Sequence, residues 1–453
     1  MLIPKVIIIG GGFAGLSAAT ALASDGVSVL VIEARPSLGG RATAFRDSKT
    51  GERIDNGQHV FFGCYEETFR FLRRIGAESN LRLQRQLSID FILPSGRQSR
   101  LTCPPLPAPF HLFAGLLDWD ALSWPDRFAV LKIYRPLKIA RAILQGSSTS
   151  KVAASPDETV RQWLVRNGQT RKIVSLFWEP LALAALNQSI DRAAAPPFVA
   201  LLARLFGQNS TDAAIALAAL PLDETYAEPA RQFIERCRGH VMTHASGHVI
   251  LTEDGRPQVV INGLKSDPCF VICAAPWFEL PKILGEVPSM ANTVSAAAQT
   301  EACPIVTVNL WFDRPVCNSA FIGLPGRRMQ WVFAKQLIFG DQVSHMSLIS
   351  SDAGALVDYS NQDLINLAIQ EIRDVFPKAR ETIVRHATVV REKRSTFSTA
   401  PGQPKRPSTK TSVPGLFLAG DWIDTGLPAT IESAVVSGHR AAQAVRALLP
   451  FKN

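Results

Sequence analysis

The residues of this chain best suited to chemistry are three glycines near its N-terminus and a glutamate that follows them. Gly10, Gly12 and Gly15 have the spacing G-x-G-x-x-G. Gly10 permits a tight turn, Gly12 lets backbone N–H groups approach a diphosphate, and Gly15 lets a helix pack closely. The Glu33 carboxylate accepts hydrogen bonds from ribose hydroxyls and repels a 2′-phosphate. The pattern predicts a dinucleotide site; the alternative is a glycine-rich turn without a ligand.

The segments around these glycines predict the βαβ unit that positions them. Val6–Ile9 and residues 27–32 are apolar runs typical of buried strands, and residues 16–23 form a small-residue helix between them. The second strand ends at Glu33. Because strand, turn, helix, strand and acid follow in this order, a dinucleotide is favoured over a plain turn.

A second glycine segment selects between dinucleotides. Arg35, Gly39, Gly40 and Arg41 form the pattern R-x-x-x-G-G-R. It resembles a segment of FAD-dependent amine oxidoreductases and carotenoid desaturases. Adjacent glycines let the chain pass close to a cofactor, and Arg41 offers charge-assisted hydrogen bonds to its diphosphate. The alternative interpretation is a surface turn.

A third segment, near the C-terminus, supports FAD. An apolar strand runs into Gly420–Asp421, and in FAD proteins of this class such an aspartate binds the ribitol and phosphate end. A helix start follows at Ala429, Thr430, Ile431 and Ser433. Its N-terminal amides would face the flavin and stabilise the reduced, anionic form. Alternatively, Thr430 and Ser433 only cap the helix.

Two side chains are candidates for proton transfer. In related flavoenzymes the segment that holds Gln58 and His59 passes the flavin ring, and His59 titrates near neutral pH. Glu179 lies in an apolar run, where burial raises the pKa of a carboxyl and makes it a proton donor. The simpler interpretations are satisfied loop residues for the first pair and a helix that starts at Pro180 for Glu179. The predicted cofactor contacts are Gly10, Gly12, Phe13, Ala14, Gly15, Glu33, Ala34, Arg35, Gly39, Gly40, Arg41, Asn56, Gly57, Gln58, His59, Gly247, Gly420, Asp421, Ala429, Thr430, Ile431 and Ser433.

Composition narrows the partners and the compartment. The net charge of +9 suits an anionic surface, but the chain has no dense basic and aromatic stripe, so we expect no nucleic acid partner. The seven cysteines are dispersed and form no C-x-x-C pair, which predicts reduced thiols in the cytoplasm and no metal. The apolar N-terminus is assigned to the cofactor site and not to a signal peptide.

Residues 103–144 are the candidate membrane-facing segment. Lys132, Arg135, Lys138 and Arg141 alternate with aliphatic and aromatic residues at helical spacing. This pattern is typical of a helix in a membrane interface. The alternative is a helix packed on its own domain with a solvated basic face. Because uncharged apolar runs stay shorter than about 18 residues, any membrane contact is predicted to be peripheral, on the inner face.

The cofactor segments at both ends predict a discontinuous domain. We expect an α/β fold with a Rossmann-type FAD-binding domain built from residues 1–80, 226–287 and 386–453. An α+β substrate domain would comprise a mostly helical block, 81–225, and residues 288–385. The second G-x-G-x-x-G that a separate nicotinamide domain would need is missing from the sequence.

Segments across nearly the whole chain carry a closer resemblance. DNGQHVFFGCYEETFRFLRRIG, FWEPLALAALN, FIERCRGHV, PIVTVNLWFDRP and QWVFAK resemble the squalene-associated FAD-dependent desaturase group. The resemblance implies hydroxysqualene dehydroxylation in hopanoid biosynthesis: acid-assisted loss of water, then hydride transfer from N5 of reduced FAD to an allylic cation. It further implies a C30 isoprenoid substrate, NADPH or another electron donor, association with upstream squalene-pathway enzymes, and wall residues at Trp178, Trp311 and Trp331.

Other functions of the same fold remain open. A carotenoid or phytoene-type desaturase has a lipid substrate and the opposite redox direction. Amine oxidases often place a lysine near flavin N5 from the strand equivalent to residues 304–312, and this chain has no lysine between Lys282 and Lys335. A non-catalytic flavoprotein that binds isoprenoids is a third alternative.

Overall fold

A five-stranded parallel sheet carries the glycine motif. The computed structural model describes residues 5–144, 153–207, 209–340 and 344–449. The strand order across this parallel sheet is His240–Met242, Val29–Ile32, Val6–Ile9, Phe270–Cys273 and Leu416–Leu418. Val6, Ile7 and Ile8 are fully buried, because a parallel sheet is covered on both faces. The predicted α/β fold is confirmed.

Helices and a small antiparallel sheet cover the two faces of the parallel sheet. On one face Phe13–Ser24 packs against Ile431–Arg446. A Cβ at Gly438 would lie 2.3 Å from the carbonyl oxygen of Ala14, so a glycine is required for this contact. On the other face lie three antiparallel strands, Gly247–Leu251, Pro257–Ile261 and Leu264–Lys265.

The helix after the glycine motif starts earlier than its sequence predicts. It begins at Phe13 and not at residue 16, because Gly12 is its N-cap. The following strand begins at Val29 and not at residue 27. Both differences are small, and they leave the strand end and the helix N-terminus at the same edge of the sheet.

A seven-stranded sheet forms the other half of the molecule. Its order is Val384–Phe397, Ala302–Phe312, Ser344–Ser350, Trp331–Ala334, Phe321–Gly323, Ser88–Ile92 and Gln98–Thr102. Residues 88–102, from the block predicted to be mostly helical, therefore share a sheet with residues 302–397. Val384–Phe397 also crosses the predicted domain boundary at residue 386. Pairing between strands that are distant in the chain determines the shared sheet and the position of this boundary. The sequence of a single segment does not show which strand it pairs with.

Two small sheets and thirteen further α-helices complete the described part of the chain. Two small sheets pair Ala44–Arg46 with Arg53–Asp55, and Ile215–Ala218 with Val60–Phe62 and Leu81–Leu83. The other α-helices are Glu66–Arg74, Phe110–Asp118, Trp124–Leu131, Tyr134–Leu144, Val160–Arg166, Arg171–Ile173, Glu179–Leu186, Ala195–Leu205, Glu228–Arg236, Leu280–Leu284, Ala291–Gln299, Lys335–Phe339 and Asn361–Val375. Within the described residues, none of the helices is long and apolar enough to cross a membrane.

Two π-helical turns interrupt the helical layer. Val174–Trp178 precedes Glu179–Leu186, and Asp223–Ala227 precedes Glu228–Arg236. In each case the helix that follows begins with Glu-Pro. Proline has no N–H and its ring clashes with the preceding turn of an α-helix, and a wider turn accommodates both. The predicted helix start at residue 180 is therefore wrong, because residues 171–186 form one continuous helical stretch.

Candidate active site

A cavity of about 570 Å³ lies between the parallel sheet and the seven-stranded sheet. Its volume is in the range of ligand-binding pockets. The dinucleotide segments line one part of it. The other part is mainly apolar and is lined by Val60, Phe62, Ile89, Phe91, Phe177, Leu181, Ile305, Phe321, Trp331, Phe333 and Ile349.

The glycine motif forms a cradle at the cavity wall. Gly12 lies at the N-terminus of Phe13–Ser24, and a Cβ on Gly12 would meet other atoms only at 3.8 Å, at the carbonyl oxygen of Gly39. Gly10 has φ +111°, which disfavours other residues. Gly15 does not line the cavity; a Cβ there would lie 1.9 Å from the carbonyl oxygen of Gly10. Its role is helix packing and not contact with a ligand.

The Glu33 carboxylate is held in place by backbone donors. Its Oε2 accepts from the N–H of Gly11 at 2.8 Å, and its Oε1 accepts from the N–H of Arg35 at 2.9 Å. Ala34, Arg35 and Gly247 line the cavity beside it. A carboxylate fixed at the end of the second strand is well placed to accept hydrogen bonds from ribose hydroxyls.

Arg41 and Asp421 meet at the cavity although they are far apart in the chain. A terminal nitrogen of the Arg41 guanidinium is paired with Oδ1 of Asp421. The other terminal nitrogen donates to the carbonyl oxygen of Ser395 at 2.7 Å, and the guanidinium lies 5.4 Å from the ring centre of Trp277. The arginine of the second glycine segment is thereby fixed beside the C-terminal Gly420–Asp421.

The helix Ile431–Arg446 points its N-terminus at the cavity. Thr430 caps this helix by accepting from the N–H of Ser433 at 3.1 Å. Ala429, Thr430 and Ile431 line the cavity, as does Ala434. Ser433 does not, because its hydroxyl donates to the carbonyl oxygen of Asp421 at 2.9 Å. The partial positive charge of the helix N-terminus therefore faces the cavity. The predicted contact between Ser433 and the cofactor is corrected, because Ser433 does not line the cavity.

His59 and Gln58 line the cavity together with Asn56 and Gly57. Burial lowers the pKa of His59, the nearby Lys335 lowers it further, and Asp55 opposes the change. The imidazole is therefore neutral near pH 7. Its Nδ1 lies 2.9 Å from the carbonyl oxygen of Gly57, which only accepts, so Nδ1 carries the proton. Nε2 is left as a hydrogen-bond acceptor.

The predicted acid, Glu179, does not line the cavity. Phe177, Pro180, Leu181 and Ala184 do, at the i, i+3, i+4 and i+7 spacing of one helical face. Glu179 lies off that face. Burial raises its pKa, as the sequence predicts, while Arg161 lowers it. The acid role predicted for Glu179 is thus not supported by its position.

Of the three tryptophans predicted to form the wall, the structure places one at the cavity. Trp331 lines the cavity. Trp178 is fully buried, and its Nε1 donates to Gln169 at 2.9 Å. Trp311 stacks on His345 with 4.2 Å between ring centres, and lies six residues beyond the lining Ile305, about 20 Å along a strand. The predicted wall roles of Trp178 and Trp311 are corrected for these reasons.

Sequence reasoning missed several polar residues around the cavity. Tyr65 lines it, and burial raises the pKa of its hydroxyl, which keeps its proton. Lys335 and Asp55 form a buried ion pair behind Gln58. The signal for Tyr65 was its place in the distinctive run GCYEET. Lys335 and Asp55 are 280 residues apart, so their pairing carries no local signal.

Comparison with known families decides the chemical class of this site. Residues 13–446 match the flavin containing amine oxidoreductase family. The chain belongs to that family. Its members are oxidoreductases that contain flavin, so this protein is a flavoprotein of that class. The glycine cradle, the fixed Glu33 carboxylate and the Arg41–Asp421 pair fit the dinucleotide form of a flavin.

Named relatives and solved structures show how far the similarity extends. The chain is 27% identical over 461 residues to the 15-cis-phytoene desaturase of an Oncidium hybrid cultivar, covering 97% of this chain and 77% of that protein. It is 24% identical to the zeta-carotene desaturase of Arabidopsis thaliana, covering 97% and 84%. The fold matches wild-type putrescine oxidase bound to putrescine, with a TM-score of 0.72, 17% identity and 98% and 99% coverage. It also matches the cyclohexylamine oxidase of Brevibacterium oxydans IH-35A, with a TM-score of 0.72, 15% identity and 98% and 99% coverage.

Proposed function

We propose that this protein is an FAD-dependent enzyme that reduces hydroxysqualene to squalene. The observation that carries the proposal is the continuity of the dinucleotide cradle with an apolar chamber in one cavity. Such a chamber suits a hydrocarbon chain, because burial of apolar surface drives its binding. Two relatives are named for phytoene and zeta-carotene, which are long isoprenoids like the substrate proposed here. The resemblance of several segments to the squalene-associated group supports the specific substrate.

The proposed reaction replaces a C–OH bond by a C–H bond. Bound FAD in its reduced form would supply a hydride to the carbon, while the leaving hydroxyl takes up one proton and departs as water. The two electrons would reach the flavin from NADPH or another donor. The apolar walls exclude bulk water from an allylic cation, and the aromatic faces of Phe177, Phe333 and Trp331 favour positive charge.

The polar groups at the cavity have separate roles in this proposal. Gly12 and Arg41 line the cavity and would hold the diphosphate, and Thr430 and Ile431, at the N-terminus of Ile431–Arg446, would lie beside the flavin. Tyr65, which keeps its proton, donates a hydrogen bond to the leaving oxygen. Its raised pKa makes it a hydrogen-bond donor and not a strong acid, so the proton consumed would come from solvent at the polar, cofactor-binding part of the cavity and not through the apolar walls.

Desaturation is the second candidate, and the state of His59 favours it. Removing hydrogen from a hydrocarbon requires a group that accepts a proton after the hydride has left. A neutral imidazole with Nδ1 protonated and Nε2 unprotonated is such a group. The relatives named as desaturases are consistent with this direction.

Anaerobic single-turnover experiments separate the two directions. We expect photoreduced holoprotein mixed with hydroxysqualene to be reoxidised and to release one squalene per flavin. The Tyr65→Phe variant keeps the ring and removes the hydroxyl, so reoxidation should slow by roughly tenfold, the value of one hydrogen bond. Stopped-flow absorbance and product extraction measure both. The proposal would be overturned in favour of desaturation if the oxidised holoprotein dehydrogenates phytoene and the reduced holoprotein is not reoxidised by hydroxysqualene.

We further propose that the helices between residues 106 and 144 rest on an anionic membrane. Trp124 is 65% exposed and Phe128 58% exposed, and their rings stack with 6.0 Å between centres. Other exposed apolar and basic side chains on the same helices and the loop before them are Leu106, Phe110, Leu131, Lys132, Tyr134, Arg135, Lys138 and Ile139. Where the sequence predicts one basic interfacial helix, the structure has two helices, Trp124–Leu131 and Tyr134–Leu144. Exposed aromatics beside lysine and arginine match the chemistry of a lipid interface.

Vesicle binding checks this membrane proposal. We expect the holoprotein to co-sediment with vesicles that contain about one-third phosphatidylglycerol, and the Trp124→Ser, Phe128→Ser double variant to bind roughly tenfold more weakly. The matched control is Leu264→Ser with Ile383→Ser, which removes exposed apolar side chains elsewhere. Equal binding by both double variants, or binding that added salt leaves unchanged, contradicts the proposed surface.

A further inference from the structure

A lysine is buried directly behind the cavity wall. Lys335 follows the strand Trp331–Ala334, and its Nζ lies 2.8 Å from Oδ2 of Asp55. Each of the two side chains is 1% exposed. Asp55 also accepts from the N–H of Leu222 at 3.0 Å. A buried ion pair is weak as a source of stability, because desolvation offsets the attraction, so its presence beside the cavity calls for another explanation.

The same lysine sets the orientation of a side chain that lines the cavity. Nζ of Lys335 donates a hydrogen bond to Oε1 of Gln58. An ammonium group has donors and no acceptor, so the Gln58 carbonyl oxygen must face Lys335 and its amide nitrogen must face away. One amide N–H donates to the carbonyl oxygen of His59 at 3.3 Å. Among the described residues, the second N–H has no acceptor.

We propose that Lys335 is a positioning residue that holds Gln58 as a hydrogen-bond donor toward the bound ligand. The acceptor is an oxygen or nitrogen lone pair, found both on the flavin ring and on the hydroxyl of the proposed substrate. Without Lys335 the amide of Gln58 can rotate and present its oxygen instead. An acceptor on the flavin ring needs only the flavin site of this family, and that arm of the inference goes beyond the proposed function. An acceptor on the substrate hydroxyl rests on the proposed function.

Two kinds of variant separate the donor from the ion pair. Gln58→Glu keeps the shape and leaves Lys335 an acceptor, but removes the N–H that faces the cavity. Gln58→Met removes the N–H without adding charge. Lys335→Met combined with Asp55→Asn removes both buried charges and frees the Gln58 amide. Thermal unfolding of each apoprotein shows whether the fold is retained, and if the double variant does not fold, the Gln58 variants alone decide.

The readouts distinguish the two sources of the acceptor. If it belongs to the flavin, we expect the Gln58 variants to weaken FAD binding about tenfold and to shift the midpoint potential of the substrate-free holoprotein. If it belongs to the substrate, FAD affinity and potential stay constant while kcat/KM for the alcohol falls about tenfold. Unchanged FAD affinity, potential and kinetics in both folded Gln58 variants would overturn the inference. Failure of hydroxysqualene as a substrate would leave the flavin measurements valid, so the two proposals fail separately.

Discussion

The Gly12→Val variant is expected to lose most of its affinity for FAD while keeping its fold. Gly12 has φ −90° and ψ −172°, a conformation that valine adopts readily. A Cβ at this position meets no protein atom closer than 3.8 Å. The added methyl groups would therefore occupy space that we assign to the cofactor diphosphate. We expect FAD to bind at least roughly 100-fold more weakly, about 2.7 kcal/mol.

Fluorescence titration of the apoprotein with FAD measures this loss. Gly354→Val is the matched control, because Gly354 also has open space around its Cβ, is exposed and does not line the cavity. Both variants should unfold at temperatures close to that of the parent apoprotein. A Gly12→Val variant that binds FAD within threefold of the parent would show that the cradle is not the diphosphate site.

The Ala184→Trp variant is expected to block the substrate and spare the flavin. Ala184 lines the cavity on the same helical face as Phe177 and Leu181. The position is exposed, so an indole can project into the chamber without displacing a packed core. Because the isoprenoid chain and the indole would compete for one volume, we expect kcat/KM to fall on the order of 100-fold, about 2.7 kcal/mol.

Steady-state kinetics and the flavin absorption spectrum check this expectation together. Leu183→Trp is the matched control, because residue 183 precedes Ala184 on the same helix but does not line the cavity. The control should retain kcat/KM within a few-fold, and both variants should retain the parent flavin spectrum. Equal losses in the two variants would indicate a general effect on the helix and would exclude a chamber at Ala184.

The cofactor half of the site could be predicted because its signals are local. A strand, a glycine turn, a helix N-terminus and a terminal acid lie within residues 6–33, and each imposes a physical requirement on its own position. Gly12 and Glu33 lie at the cavity for that reason. Gly420–Asp421 is likewise a strand end, recognisable in its own segment.

For the substrate half of the site, the sequence predicts the apolar nature of the chamber but not the residues that line it. An apolar middle of the chain indicates an apolar chamber, but not which apolar residues face it. Rotation of about 100° per residue places Phe177 and Leu181 on the cavity side and leaves Glu179 off that face. A strand rise of about 3.3 Å per residue places Trp311 about 20 Å along its strand from Ile305, which lines the cavity.

The fold class and the flavin cradle follow from the sequence, because short contiguous motifs encode turns, helix starts and phosphate-binding amides. Which polar groups meet at the cavity follows from the tertiary structure alone. It brought Arg41 to Asp421, and it placed Lys335 against Asp55 behind Gln58. These partners come from distant strands and loops, and their contact depends on how sheets pair and pack, which no local pattern specifies.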